Sequence, residues 1–321
     1  MAEKTFEKEW RALGTDIYLQ IIGDIRQKSE MEKIFLEVSD IYKRQEKIFS
    51  RFDKESELSK INSHLGKFFD GSSDILRVAE KSLDYFKESD GLFDPRILET
   101  LEKIGYDRSF SKEDFSSDGI AAIIEVEKAD LKNDLVVENG RMKFLKRLDF
   151  SGIAKGYITD RVVDFLQLQG FRNFLIDSGG DMFAAGKNSL GNDWGIALEG
   201  SHNEDETLVE ISDAAVATSG NVRRNWQKGE KKIHHLIDPR RPNDFSFALQ
   251  SVTVVEKSTE RADVWAKVLF LSGLEKGIEK AREKKITAFF LEQDGNVIKS
   301  VKKNLCDINS AASFSSYSPF L

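Results

Sequence analysis

The sequence has little cysteine and little proline. A single cysteine, Cys306, occurs among the 321 residues, so neither an internal disulfide nor a thiolate metal cluster can form. Four prolines and 32% charged residues exclude fibrous and low-complexity classes. With 40% apolar residues, a chain of this length can bury a large core, in one large domain or in two. The lone cysteine is compatible with a reducing compartment.

The sequence also lacks long apolar runs and an excess of basic charge. No window approaches the roughly 18 apolar residues of a membrane span, so we expect no span. The formal net charge of −7 argues against nucleic acid as a partner, because nucleic-acid-binding surfaces are basic. The plainer interpretation is that the negative charge keeps the protein soluble. Residues Met1–Trp10 contain no apolar signal region. The expected location is cytoplasmic.

Apolar residues follow the period of strands in some segments and of helices in others. Trp10–Ile22 is typical of a strand broken at Gly14, and Met31–Phe49 has the three-to-four spacing of a helix. We predict further helices after Ser72, after Pro95, and over Ile153–Leu168, Asp263–Leu271 and Leu274–Lys284. We predict strands over Asn173–Asp177, Trp194–Leu198, Leu208–Ile211, Ala214–Thr218, Lys232–Ile237 and Leu249–Val255, and hairpins over Leu131–Phe144 and Ile286–Val301.

Strands that lie both in hairpins and beside helices favour an α+β fold over a doubly wound parallel sheet. The acidic, serine-rich stretch Ser109–Gly119 is the best candidate for a seam between two lobes. We therefore predict an N-terminal lobe over residues 1–110 and a larger C-terminal lobe over residues 111–321.

Two glycine-containing turns follow predicted strands. Asp149–Gly156 runs from a strand end into a helix start, where free N–H groups and Lys155 could hold phosphate. Asp177–Asp181 places two glycines after an apolar strand, and Asp181 could orient water, a metal or a ribose. For the first segment taken alone, an ordinary strand-to-helix turn is the plainer interpretation, and for the second a plain turn explains the residues equally well.

Two further segments carry side chains suited to catalysis or metal binding. In His234–Pro239, strand alternation would put His235 and Ile237 on one face, and an imidazole near a carboxylate is a general-base arrangement. A surface or core histidine pair is the plainer interpretation. Asp263 opens a predicted apolar helix, either as a cap or as an oxygen ligand for Mg²⁺.

The order of these motifs along the chain resembles the ApbE family of FAD:protein FMN transferases. The resemblance extends from Leu13 to Gly273. It rests on eight segments: Leu13–Thr15, Phe49–Phe52 with Ser56–Asn62, Gly91–Pro95, Asp149–Gly156, Gly179–Asp181, Ala217–Gly220, His235–Pro239, and Ala262–Asp263 with Leu269–Gly273.

The resemblance implies an α+β fold with mixed or antiparallel sheets and flanking helices, in two lobes with the FAD site in the cleft between them. It implies FAD as substrate, Mg²⁺ as cofactor and, as partner, an acceptor protein that carries a threonine or serine to be flavinylated. The implied pocket residues are Leu13, Phe52, Leu92, Phe93, Asp94, Asp149, Lys155, Asp181 and Ile237. The implied metal ligands are the Gly152 carbonyl and Asp263. The catalytic candidates are His235 and Asp238, whose carboxylate would steady the imidazole of His235.

The sequence departs from the family pattern at Leu13, at Asp177-Ser178 and at Arg241-Pro242, and also at one position that bears on the metal. Lys267 stands four residues after Asp263, where the family usually has a threonine that contacts the metal. The two side chains share a helix face, and an ammonium cannot ligate Mg²⁺, so Lys267 could pair with Asp263 or with a phosphate oxygen instead. Two other activities stay open at this stage: a metal-dependent FAD pyrophosphatase, and a flavin-binding protein without transfer activity.

Overall fold

The computed structural model describes residues 3–24, 28–107, 129–198 and 208–300. The described part of the chain begins with a long hairpin. Strands β1 (Glu3–Ala12) and β2 (Thr15–Asp24) pair antiparallel along their full length. Leu13 and Gly14 form the turn with φ values of 53° and 69°, the positive angles that a two-residue hairpin turn requires. The prediction of one strand broken at Gly14 is therefore wrong, because the chain reverses there.

Eight strands of the described residues form one antiparallel sheet in the order β1-β2-β6-β7-β10-β13-β14-β15. Side-chain alternation sets which face each strand buries: Ile17, Leu19 and Ile21 of β2 all point into the core. The other strands of this sheet are β6 (Phe174–Ser178), β7 (Asp181–Ala185), β10 (Ala214–Gly220), β13 (Leu249–Glu256), β14 (Thr287–Glu292) and β15 (Val297–Ser300).

Seven α-helices lie within the described residues, and the main core lies between the large sheet and helices α1, α5 and α6. The cap of α3 is Ser72, as predicted, and its hydroxyl accepts from the amide of Ile75. The helices are α1 (Lys28–Phe49), α2 (Glu57–Asn62), α3 (Ser73–Glu88), α4 (Leu98–Lys103), α5 (Ser151–Leu168), α6 (Thr259–Ser272) and α7 (Leu274–Lys284); short 3₁₀ turns cover Pro95–Ile97 and Leu131–Asn133.

Smaller strand groups surround this body. Three strands form one small sheet in the order β3-β5-β4, and two hairpins, β8-β9 and β11-β12, complete the described strands. The β8-β9 hairpin covers the face of the large sheet that points away from the helices. These strands are β3 (Phe69–Asp70), β4 (Leu135–Glu138), β5 (Arg141–Phe144), β8 (Trp194–Ala197), β9 (Leu208–Ile211), β11 (Asn225–Lys228) and β12 (Lys231–His234).

Helices α5 and α6 approach each other closely at Gly156. A Cβ atom added there would lie 2.6 Å from the carbonyl oxygen of Thr259, so only glycine fits. Both carboxylate oxygens of Asp160 then accept the first amides of α6, from Thr259 at 2.7 Å and from Glu260 at 2.9 Å. These contacts fix the start of α6 against α5, and they bring the first turn of α5 beside the middle of α6.

The predicted α+β class is confirmed, with antiparallel pairing throughout the described strands. The predicted seam at Ser109–Gly119 and the boundary between residues 110 and 111 lie outside the described residues. In the part of the chain that is described, every helix is too short or too polar to cross a membrane.

Candidate active site

The first turn of α5 is built from the Asp149–Gly156 segment. Asp149 is buried, and its Oδ1 accepts from the amide of Ser151 at 2.7 Å. Its Oδ2 lies 3.3 Å from Nε of Arg51, whose side chain is also buried. The N-cap residue Phe150 supplies no side-chain cap. The amides of Ser151, Ile153 and Ala154 already donate to Asp149 and Phe150, so the amide that this described turn can offer to an anion is that of Gly152.

Lys155 joins the start of α5 to the double-glycine turn. Its Nζ lies 2.7 Å from Oδ2 of Asp181 and 3.3 Å from the carbonyl oxygen of Gly179. Gly179 and Gly180 both have positive φ, and the amide of Gly180 donates to Asp177. Asp181 begins strand β7 and is 1% exposed. The structure thus brings together two segments that the sequence predicted to lie in one pocket.

Lys267 extends from α6 to the same place. Its Nζ donates to Oδ1 of Asp263 at 2.8 Å and to the carbonyl oxygen of Gly152 at 3.2 Å, with the Asp263 carbonyl at 3.3 Å. Asp263 was expected to open the helix, but α6 begins at Thr259 and is capped by Ser258. The expectation was wrong because Thr259–Arg261 are polar and gave no apolar signal, although they are helical.

Two carboxylates and two ammonium groups therefore share one buried cluster, which we call the four-charge cluster: Lys155, Asp181, Asp263 and Lys267. Burial, together with the nearby Asp263 carboxylate, raises the pKa of Asp181 to about 7. Oδ2 of Asp263 is buried and accepts no hydrogen bond. Formal charges within the cluster cancel when all four groups are ionised.

The rings of Phe52, Tyr106 and His235, which we call the aromatic row, border the four-charge cluster on the side where Arg51 lies. The guanidinium of Arg51 lies between two rings, 4.2 Å from the centroid of Phe52 and 4.7 Å from that of Tyr106. Tyr106 in turn contacts His235 edge to face, with 6.4 Å between ring centroids. Phe52 is 45% exposed, so an aromatic face is open to a ligand here. Arg51 and Tyr106 were not predicted as site residues, although Arg51 lies inside the quoted Phe49–Phe52 motif.

The predicted pairing of His235 with Asp238 is not formed. Asp238 binds Arg240 and Arg241 through both carboxylate oxygens, while Nδ1 of His235 lies 3.3 Å from the carbonyl oxygen of Arg224. Strand β12 ends at His234, so the expected alternation does not continue, and Leu236 and Ile237 are both buried. Burial and the charge of Arg224 hold the pKa of His235 well below its usual 6.5. The imidazole is therefore neutral near pH 7.

The Gly91–Pro95 motif contributes packing at the other side of Gly152. A Cβ atom added to Gly152 would lie 3.5 Å from the ring of Phe93, so this buried ring borders the cluster. Leu92 is buried in the main core. Asp94 binds Arg96 through both oxygens, at 2.7 Å in the shortest contact, and caps the 3₁₀ turn. These contacts alone account for Asp94.

Two predicted pocket residues lie at the edge of this arrangement. Leu13 is partly buried at the β1-β2 turn. Thr15, two residues further along the chain, packs directly against Gly179. Ile237 packs in a separate apolar cluster with Ile104 and Trp226. The Leu13 turn thus adjoins the double-glycine turn, whereas Ile237 supports the wall that carries Tyr106.

Comparison with known proteins decides the family. The model of the ApbE family matches residues 13–290, most of the chain. The chain belongs to the ApbE family. It is 27% identical over 272 residues to a Vibrio cholerae protein named FAD:protein FMN transferase, covering 82% of this chain and 78% of that one. A Haemophilus influenzae protein of the same name is 25% identical over 312 residues, covering 91% and 88%.

Solved ApbE structures share the fold. The apo form of the flavinyl transferase ApbE from Pseudomonas stutzeri superposes with a TM-score of 0.77 at 24% identity, covering 98% of this chain and 99% of that one. The ApbE protein from Thermotoga maritima gives a TM-score of 0.77 at 22% identity, covering 92% and 97%. At these identities the likeness establishes the ApbE fold.

The residues that the ApbE resemblance assigned to Mg²⁺ do not fit that ion as they are arranged. Mg²⁺ needs near-octahedral oxygen ligands at about 2.0–2.1 Å. The two assigned ligands, the Gly152 carbonyl and Asp263, both already accept from the ammonium of Lys267. Among the described residues, no three His, Cys, Asp or Glu side chains are grouped to hold a metal ion. An ammonium group occupies the position between the expected ligands.

Proposed function

We propose that this protein transfers FMN from FAD to a threonine or serine hydroxyl of an acceptor protein. Membership of the ApbE family supports this activity, since its relatives carry the name FAD:protein FMN transferase. The single observation that carries the proposal for this chain is the four-charge cluster beside the first turn of α5. The two ammonium groups of this cluster are more exposed than its two carboxylates, so cations face an incoming dinucleotide diphosphate.

The diphosphate of FAD carries two negative charges that repel an attacking oxygen. Catalysis of such transfers consists mainly of positioning and electrostatic stabilisation. The groups available for those oxygens are the ammonium groups of Lys155 and Lys267 and the amide of Gly152 at the start of α5. The flavin would lie against the aromatic row and Phe93, with Leu13 and Leu92 behind them.

The reaction balances without a protein nucleophile. The acceptor hydroxyl oxygen attacks the phosphorus on the FMN side, a new P–O bond forms, and the bond to the AMP oxygen breaks. AMP leaves with the electron pair of that bond. The hydroxyl proton passes first to a base and then to solvent or to the AMP phosphate. The product is a phosphodiester between FMN and the acceptor side chain.

His235 is the proposed base. Its Nδ1 donates to the Arg224 carbonyl, which leaves Nε2 of the neutral imidazole to accept a proton, and its contact with Tyr106 places it next to the aromatic row. Asp238 has no part in this role, since Arg240 and Arg241 bind its carboxylate. We expect His235→Ala to lower the transfer rate about 10²- to 10⁴-fold while FAD binding is retained. A normal transfer rate in that variant would show that His235 is not the base.

The test is incubation with FAD and the proteins of the source cell, followed by denaturing electrophoresis. We expect a protein band with covalent flavin fluorescence, formed in parallel with AMP release. FMN and AMP without a labelled protein would establish a pyrophosphatase that uses water as acceptor. Bound but unaltered FAD would establish a flavin-binding protein. The cytoplasmic location and the threonine or serine of the acceptor stay predictions from the sequence.

A further inference from the structure

We propose that the ammonium group of Lys267 replaces the divalent cation in this protein, so that FAD is bound and its FMN transferred without a metal ion. This inference rests on the proposed function. Its basis is that Nζ of Lys267 donates to Asp263 and to the Gly152 carbonyl, the two groups that would otherwise ligate the ion. One positive charge therefore already lies between them.

The position of Lys267 is built into the packing of the site. Its side chain is 19% exposed, and its stem passes over Gly152, where an added Cβ atom would lie 3.4 Å from Cε. The close contact of α5 with α6 at Gly156 sets the separation that the stem spans. Lys267 is therefore held by three oxygen contacts and by its stem, unlike a solvated surface lysine.

The charges of the cluster favour the same conclusion. Asp181 already pairs with the ammonium group of Lys155, and Asp263 with that of Lys267. A divalent ion at the same place would lie next to an ammonium group in a buried setting, where like charges repel strongly. An incoming diphosphate instead meets two cations that are already in position. Its oxygens can displace the Asp263 contact of Lys267 or share it.

The decisive experiment uses the unaltered protein. FAD binding is measured by flavin fluorescence, and transfer by labelled acceptor and AMP, after exhaustive treatment with EDTA and again with added Mg²⁺. We expect FAD affinity and transfer rate to agree within about 2-fold between the two conditions. A rise of about 10-fold or more with Mg²⁺ would overturn the inference and leave the proposed function intact.

A substitution at Lys267 tests whether the metal independence of FAD binding and transfer depends on its ammonium group. Lys267→Thr removes the ammonium group and supplies an oxygen. In EDTA we expect this variant to lose roughly 10²-fold in transfer rate, as when one electrostatic stabiliser is removed, together with weaker FAD binding. Added Mg²⁺ should restore both. A variant that works equally well in EDTA would show that Lys267 does not supply the charge.

Lys280→Thr is the matched control. Lys280 also has a side chain that is 19% exposed and an ion pair of 2.7 Å, with Asp90, but it belongs to α7 and is not part of the cluster. We expect this variant to keep the metal independence of the original protein. Circular dichroism and thermal unfolding of each variant show that it is folded. Absence of FAD binding by the unaltered protein in both conditions would overturn the proposed function itself.

Discussion

Nζ of Lys155 lies 2.7 Å from Oδ2 of Asp181, and this ion pair ties the first turns of α5 to the strand that follows the double-glycine turn. The carboxylate is buried, whereas the lysine side chain is 23% exposed. The cation is thus reachable from solvent, whereas its partner is not. An anionic ligand can therefore bind Lys155 without separating the pair.

We expect Lys155→Met to weaken FAD binding roughly 10- to 100-fold, because one charge-assisted contact to the diphosphate is lost. Fluorescence titration with FAD measures the change. Lys187→Met is the matched control, since Lys187 forms an ion pair of the same length with Asp193 at an exposed loop. Equal FAD affinity in the two variants would contradict a role for Lys155 in phosphate binding.

The buried Arg51–Asp149 pair should contribute to stability as well as to the site. Arg51→Met leaves the Asp149 carboxylate buried without its cation, which costs about 3–5 kcal/mol. The double variant with Asp149→Asn should recover part of that loss. Urea unfolding of the original protein, of each single variant and of the double variant gives the coupling energy. Lys43→Met, which breaks an exposed pair with Asp40, should change stability by less than about 1 kcal/mol. If Arg51→Met lowered the free energy of unfolding no more than Lys43→Met does, that result would contradict a stabilising pair between Arg51 and Asp149.

Gly156→Ala tests the close packing of α5 on α6. Alanine has the better helix propensity, by about 1 kcal/mol, so an isolated helix would gain stability. In this fold the new methyl group meets backbone atoms of Thr259 and Glu260 at 2.6–2.8 Å, and we expect a net loss of about 1–3 kcal/mol. Because α6 carries Lys267, FAD binding should weaken as well. Stability equal to or above that of the unaltered protein would show that the helices lie further apart.

A buried histidine should make stability depend on pH. His234 is 2% exposed, surrounded by the rings of Phe245, Phe247 and Phe270, and burial lowers its pKa below 6.5. Below that pH the unfolded chain binds a proton that the folded chain does not, so the free energy of unfolding falls as pH falls.

His234→Gln removes this proton uptake and can still donate to the Ser246 carbonyl. We expect the stability difference between the original protein and this variant to shrink from about pH 7.5 to about pH 5.5. Denaturant unfolding at both pH values measures it. An unchanged difference would mean that His234 is equally protonated in the folded and unfolded chains.

Local signals were sufficient for much of the fold. The helices over α1, α3, α5 and α7 followed from apolar spacing, from the Ser72 cap and from glycine just beyond the helix ends. The hairpin at Asn139-Gly140 followed from the positive φ values that this pair allows, 51° and 73°. In each case the information lies within a few neighbouring residues.

Elements that depend on tertiary partners were missed. β1 is an edge strand with mostly exposed residues, so its alternation is weak. Helix α2 has six residues and is held by the Ser56 cap and by burial of Leu58 and Ile61. β7 begins directly after Gly180 and exists because β6 and β10 pair with it.

The site shows the same division. The four-residue spacing of Asp263 and Lys267 correctly indicated that they could pair, since that contact lies within one helix. The Gly152 contact of Lys267 crosses from α5 to α6, and no spacing along the chain encodes it. The pairing of His235 with Asp238 was wrong because Arg240 and Arg241, two and three residues further on, bind the carboxylate.

The most direct test is a crystal structure of the protein with FAD, prepared in EDTA. We expect the diphosphate at the first turn of α5, with phosphate oxygens within salt-bridge distance of Nζ of both Lys155 and Lys267, and the flavin against Phe52 and Tyr106. Diphosphate density away from α5, or bound only after a metal ion is added and Lys267 is displaced from Asp263, would contradict this arrangement.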